Sequence, residues 1–242
     1  MHGMALELTL ATAPTQVRHL MIFKGLPALE IRRAQSLVLP HSLKGGELLL
    51  TIGKVSGFVY FVLSGTICIN RSQYNGARTI LNMVGAGEVL GEICACDKLG
   101  HSANALATEP TSMLKMRRAD FQKLEADSHT LSRNVKWLLA HRLRFATTLN
   151  EALAERRVCV RITLLLGALA DRYSKDSAQQ EVALPLRLTQ SEIAEWACVS
   201  RQHAEKHIVL LRSEGILRVD AGRRMVIQDR HRLSTFCEQI QT

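Results

Sequence analysis

Between residues 189 and 213 the chain carries two helix starts only eleven residues apart, and few folds accept that arrangement. Thr189-Gln190-Ser191-Glu192 has the spacing of a capping box, in which the threonine oxygen takes the Glu192 amide and the carboxylate reaches back to the cap. Ile193, Ala194 and Ala197 share one face of the helix so begun. After a break at Cys198-Val199, Ser200 is a second N-cap for a helix running to about Ser213, with Ile208 and Leu211 turned inward. Two capped helices across a tight turn, with the small Ala194 where they cross, predict a helix-turn-helix. Gly215 stops the second helix. Ile216–Val219, the Asp220-Ala221-Gly222 turn and Met225–Gln228 then read as a two-stranded wing.

The open face of the second helix carries Arg201, Gln202, His203 and Lys206. In a helix-turn-helix the N-terminal half of that helix enters the major groove. Arginine can bond guanine O6 and N7 together, and glutamine suits adenine. Thr189, Gln190 and Ser200 stand at helix starts and are candidate DNA contacts, and Arg223 and Arg224 lie at the tip of the wing, where phosphate contact is expected. The charge agrees: 31 Lys and Arg against 22 Asp and Glu give +9. Residues 101–150 hold eight basic and four acidic side chains and residues 201–242 eight and five, while 151–200 is balanced at six and seven. The partner expected is double-stranded DNA with a near-palindromic site.

Upstream the pattern differs. Residues 40–118 hold ten of the fifteen glycines, separating short apolar runs such as Glu47–Thr51, Gly57–Leu63, Thr66–Ile69 and Thr79–Val84. That rhythm predicts antiparallel β structure, with short helices from Val17 to Leu37 packed at its edge. From Asp120 the period lengthens. Leu131, Val135, Leu138, Arg142, Phe145, Leu149 and Ala152 recur at steps of four and three, the spacing of a coiled-coil seam. Neither glycine nor proline occurs between Arg118 and Gly167, so a long helix is allowed, with a hinge near Glu155–Arg157. An apolar helix over Val160–Ala170, a polar loop Ser174–Glu181 and a strand around Leu184–Leu188 lead into the capped pair. The apolar stretch Met4–Ala13 is interrupted by Glu7 and lacks a basic leader, and no membrane span is expected. The six cysteines, at 68, 94, 96, 159, 198 and 237, form no CxxC pair and read as reduced thiols of a cytoplasmic protein.

Ordered matches across the whole chain resemble the family of the cyclic-AMP receptor protein and the fumarate-nitrate reduction regulator. They are Lys44-Gly45-Gly46-Glu47, Leu63-Ser64-Gly65, Gly85-Ala86-Gly87-Glu88 running into Gly91-Glu92-Ile93, Leu188 to Ala194, and Val199-Ser200-Arg201. The resemblance implies an α+β chain: a β-roll sensor like a cyclic-nucleotide-binding jelly roll over 1–127, a dimerisation helix over 128–156, and a winged helix-turn-helix over 157–242. It places Ser200, Arg201, Gln202 and Lys206 on base- and phosphate-contacting positions, and implies a homodimer that also meets RNA polymerase. Gln202 stands where the cyclic-AMP receptor has glutamate, and Cys198 where it has the turn glycine.

The same resemblance locates an effector pocket at Gly91, Glu92, Ile93, His101, Ser102, Ala103 and Thr147. The cassette arginine that would pair with a cyclic phosphate is His101 here, and the Thr-Ser pair over the base is altered to Ala146-Thr147. A neutral histidine offers one donor in place of a permanent bidentate cation, so an effector other than classical cyclic AMP is expected. An iron-sulfur cluster is not expected, because no cysteine precedes Cys68. His101, Cys94 and Cys96 lie near the cassette but do not match the haem-ligand positions of the carbon-monoxide sensor; a cyclic-nucleotide- or haem-responsive member is the alternative, and Cys94-x-Cys96 is left as a candidate redox pair. Two rivals are a cupin-like enzyme and a ligand-binding protein with a degenerate DNA module. The enzyme would need clustered metal ligands, yet His41 and His101 are isolated. The reading is therefore a regulator that is not an enzyme and holds no metal.

Overall fold

The computed structural model describes residues 13–72, 78–97, 99–174, 176 and 179–239. Most of Met4–Ala13 and the side chain of Cys237 lie outside them. Packing divides the chain into two compact units, residues 1–71 with 82–140, and residues 72–81 with 141–242.

In the first unit two short 3-10 turns, Ala13–His19 and Met21–Phe23, precede helix α1 (Ala28–Leu37), where short helices were expected. Strands follow at β1 (Val38–Leu43), β2 (Leu48–Leu50), β3 (Phe58–Ser64), β4 (Ile67–Ser72), β5 (Arg78–Val84), β6 (Val89–Leu90), β7 (Asn104–Ala107) and β8 (Thr111–Arg117). Helix α2 (Glu92–Asp97) lies between β6 and β7, and α3 (Arg118–Asp127) follows β8. The strands form two four-stranded sheets, ordered β1-β8-β3-β6 and β2-β7-β4-β5, and each described pairing is antiparallel.

Strands β3 and β8 explain why part of this region lacks a two-residue alternation. Tyr60 and Val62 of β3, with Met113 of β8, join Ile67, Ala105 and Ala107 in one core. Val59 and Phe61, with Leu114 and Met116, join a second core with Phe23, Phe121, Leu131 and Val135. Central strands covered on both faces have no polar side to show, so their sequences read as unbroken apolar runs.

Helix α4 (His129–Ala154) does not continue from α3, as the absence of glycine and proline allowed. Buried Ser128 interrupts them; its hydroxyl accepts the Leu131 amide at 3.2 Å and donates to Glu30, capping the new helix. The helix breaks where the hinge was expected: α4 ends at Ala154 and α5 (Val158–Tyr173) begins after Arg157. There Arg157 grips Glu155 with Nε and Nη2, both at 3.1 Å. Those bonds hold the Glu155 carboxyl down to about 2.

The heptad spacing in α4 is real, but its residues are spent within the chain. Leu131 and Val135 are completely buried in the first unit's core, and Leu138 packs against it. In the second unit Phe145 meets the Trp196 ring edge-on at 6.4 Å between centroids, and the Arg172 guanidinium lies 4.5 Å over it. Leu149 and Ala152 are also buried, and Arg142 is half-buried. Leu131 and Val135 therefore have little surface of their own left to offer a second chain, and a four-three apolar repeat marks a buried face without saying what buries it. A second stripe about a quarter-turn away does reach solvent, comprising Leu143 (70% exposed), Ala146, Asn150 and Leu153.

In the second unit β9 (Val182–Ala183), α6 (Gln190–Trp196), α7 (Arg201–Ser213), β10 (Leu217–Val219), β11 (Met225–Ile227) and α8 (Arg230–Gln239) follow α5. The three strands form one sheet in the order β10-β11-β9. The strand expected around Leu184–Leu188 lies two residues earlier. Leu184, Leu186 and Leu188 are buried at alternate positions, but Pro185 has no N–H to give a ladder.

Candidate nucleic-acid interface

The helix-turn-helix is built around its two caps. The Thr189 hydroxyl accepts the Glu192 amide at 3.2 Å, and the Thr189 amide donates to Glu192 Oε2 at 2.8 Å, completing the box. Ile193, Ala194, Trp196 and Ala197 are buried beneath it. The turn closes when the Val199 amide donates to the Ala194 carbonyl at 2.9 Å. This geometry puts Cys198 at φ +52°, a conformation that a side chain resists.

One residue absent from the sequence-based set holds this turn. Arg161 of α5 donates through Nη1 to the carbonyls of Ala197 and Cys198, at 3.1 and 3.2 Å, and through Nε to Glu155 O at 3.0 Å. A cation in an otherwise apolar helical run was the signal available for it.

Ser200 caps α7 by accepting the His203 amide at 3.3 Å, and its oxygen lies 2.7 Å from His203 Nδ1. If the serine proton goes to Nδ1, the ring keeps its own proton on Nε2, as a donor. Ala204, His207, Ile208 and Leu211 form the buried side of α7, while Arg201, Gln202, His203 and Lys206 are exposed together. His207 was not foreseen either. Its Nε2 lies 2.7 Å from Thr163 Oγ1, and burial lowers its pKa to about 4.

Gly215 ends α7 at φ +66°. In the wing the Asp220 amide donates to Arg224 O at 2.9 Å, and Asp220 Oδ1 accepts the Arg224 amide at 2.8 Å. The turn therefore spans Asp220 to Arg224, and Arg223, not Gly222, takes the positive φ, at +60°. Arg223 and Arg224 are both exposed. Thr189 and Gln190 at the start of α6, Ser200 to Lys206 on α7 and the wing arginines thus all belong to the second unit.

The expected effector residues are less gathered. Gly91 sits at φ +85°, where a Cβ would come within 2.8 Å of the Phe58 carbonyl, so glycine is required. Glu92 is buried at the start of α2, whereas Ile93 is 46% exposed. His101, Ser102 and Ala103 lead into β7; Ser102 is exposed and Ala103 buried. Among the described residues His101 Nε2 is buried without a hydrogen-bond partner, and burial lowers the ring's pKa. Thr147 is exposed on α4 and bonds the Leu143 carbonyl of its own helix at 3.0 Å. Cys94 is buried and Cys96 exposed, and burial together with Glu125, Glu92 and Asp97 pushes the Cys96 thiol up, against thiolate formation.

Residues 40–128 match the cyclic nucleotide-binding domain model and residues 157–236 the Crp-like helix-turn-helix domain model. The two occur in one chain and in that order. This chain belongs to the CRP/FNR family.

Like other CRP/FNR proteins it is a transcription regulator with a DNA-binding helix-turn-helix. It is 27% identical to the cyclic AMP receptor protein of Thermus thermophilus over 201 residues, covering 83% of this chain and 89% of that one. It is 26% identical to the CRP-like cAMP-activated global transcriptional regulator of Mycobacterium tuberculosis over 215 residues, 88% of this chain and 94% of that one. Among solved structures, FixK2 from Bradyrhizobium japonicum shares the fold with a TM-score of 0.68 at 21% identity, covering 82% of this chain and 96% of that one. The α+β reading, a β-roll with a winged helix-turn-helix, is thus the architecture of this family. Among the described residues no helix is long and apolar enough to cross a membrane.

Proposed function

We propose that this CRP/FNR protein acts in the cytoplasm as a homodimer on a near-palindromic DNA site, without catalytic activity of its own. The observation that carries the reading is the solvent-facing group Arg201, Gln202, His203 and Lys206 on a helix capped at Ser200 and packed by Ala204, Ile208 and Leu211. Arg201 and Gln202 would read base edges. Thr189, Gln190, Ser200, Arg223 and Arg224 would set the register on phosphates. Two such helices would enter successive major grooves about 34–36 Å apart. Pairing would use the exposed stripe Leu143, Ala146, Asn150 and Leu153. RNA polymerase is the further partner that the family implies. In this reading residues 1–127 sense, 128–156 pair the chains and 157–242 bind DNA.

Two relatives carry cyclic AMP in their names. A cyclic phosphate bears a permanent negative charge. The cassette cation position holds His101, whose burial disfavours the charged ring, and Thr147 already bonds its own helix. These residues do not fit the usual phosphate clamp, so the effector proposed is one other than cyclic AMP bound in the classical way.

The test is a fluorescence-anisotropy titration of a family-type palindromic duplex and a scrambled one, with and without cyclic AMP, at two salt concentrations. Salt-sensitive preference for the palindrome without nucleotide supports both parts of the reading. The Arg201→Ala variant should then lose about tenfold or more in specific affinity while retaining non-specific binding. Preference that appears only with cyclic AMP would overturn the effector proposal, and equal binding to both duplexes in every condition would count against the site.

A further inference from the structure

The reading face contains one acid. Glu205 lies one helical turn beyond Arg201, is exposed, and has no hydrogen bond or ion pair among the described residues. It shares the open side of α7 with Arg201, Gln202 and Lys206, while Ala204, His207, Ile208 and Leu211 occupy the opposite side. A helix entering the groove with Arg201 and Gln202 therefore carries this carboxylate in with them.

An anion brought between two phosphate backbones is repelled unless it finds a donor. Within the helix the only oppositely charged neighbour at three or four residues is Arg201. That pair runs with the cation N-terminal to the acid, the weaker of the two orders, and it is not formed. Lys206 is adjacent in sequence and faces a different direction. The carboxylate is thus left free to accept. On the major-groove edges, guanine O6 and N7 and thymine O4 are acceptors and would repel it, whereas the cytosine N4 amino group donates and is the standard partner of glutamate.

We infer that Glu205 is a specificity-determining residue: it accepts a hydrogen bond from cytosine N4 at one position of each half-site and disfavours guanine and thymine there. Like the proposed function, this requires α7 to be the reading helix. It adds a base preference that Arg201 and Gln202 do not supply, because neither offers an anionic acceptor. The negative charge also lowers affinity for DNA at large, so selectivity is gained at the expense of non-specific binding.

The experiment is site selection from a randomised duplex pool by the full-length wild type, Glu205→Gln and Glu205→Ala, followed by anisotropy titrations of the selected and scrambled sites. The wild type is expected to select a two-fold symmetric motif with one cytosine per half-site favoured about tenfold or more. Glu205→Ala should lose that single preference and keep the rest of the motif. Glu205→Gln, which can both donate and accept, should broaden the position toward adenine. Both variants should bind scrambled DNA a few-fold more tightly than wild type, an increase that a folding defect would not produce. If the wild type selects a motif and both variants select the same one, the inference is overturned. If instead they lose the guanine read by Arg201, Glu205 orients that arginine and the direct contact is again overturned. If the wild type selects no motif at all, the failure lies in the DNA-reading proposal itself.

Discussion

A cysteine at φ +52° and a threonine shared between two helices show how single residues set the geometry of the DNA-binding unit. Cys198 occupies a conformation that glycine adopts freely and β-branched residues avoid. Cys198→Gly should therefore raise stability by about 1 kcal/mol and Cys198→Val should lower it by a similar amount. The order Gly, Cys, Val in thermal melting temperature checks this; a reversed order would mean that the turn relaxes to another conformation. The buried histidine supplies a pH dependence. Thr163 gives its only hydroxyl proton to the Cys159 carbonyl at 3.0 Å, so its oxygen accepts from His207 Nε2–H, a bond that either charge state of the ring can make; burial is what disfavours the charged form. The folded-state pKa of about 4 lies below the ordinary 6.5, so the unfolded chain takes up the proton first as pH falls. The resulting stability is fully present above pH 6.5 and is lost as the pH drops toward 4. Urea unfolding at pH 7.5 and at pH 5 should show wild type losing more stability than His207→Gln. The variant keeps some slope, because burial also lowers His41 and His101.

At the level of elements, local chemistry was legible in the sequence and tertiary assignment was not. Both helices of the reading motif start at the residues that their caps indicate, because a capping box is satisfied within four residues. The hinge at Glu155–Arg157 is local too. By contrast, the short β6 and the break at Ser128 depend on partners far away in sequence, Phe61 and Glu30 respectively. Leu184, Leu186 and Leu188 imitate a strand because burial at alternate positions needs no ladder. The role of Arg161 is not legible locally for the same reason, since two of its acceptors lie more than thirty residues on, in the turn between α6 and α7. Removing it should loosen that turn while leaving both caps in place. Arg161→Ala is expected to weaken specific DNA binding about tenfold, more than it weakens binding to scrambled DNA, as read by paired anisotropy titrations. An equal loss on both duplexes would reduce Arg161 to a non-specific cation.

For the whole molecule, the two stripes of α4 make opposite demands that a pair of substitutions can separate. Leu131 belongs to the first unit's own core and has no exposed surface to offer another chain. Leu143 is 70% exposed and has no place in that core. If the exposed stripe pairs two chains, Leu143→Glu places two like charges across the two-fold axis and removes apolar burial from the seam. The expected product is a folded monomer: sedimentation velocity at micromolar concentration shows half the wild-type mass, and circular dichroism keeps its helical and strand signal. Binding to a palindromic site should then fall by 10²-fold or more, because two half-sites are no longer engaged by one particle, whereas affinity for an isolated half-site should change little. Leu131→Ala should do the reverse, lowering stability by about 2–5 kcal/mol through the cavity it leaves while the surviving folded fraction stays dimeric. A Leu143→Glu protein that still sediments as a dimer would move the seam to another face of the chain. A Leu131→Ala protein that dissociates while fully folded would restore the buried repeat as the seam, and would require the first unit's core to open when two chains meet.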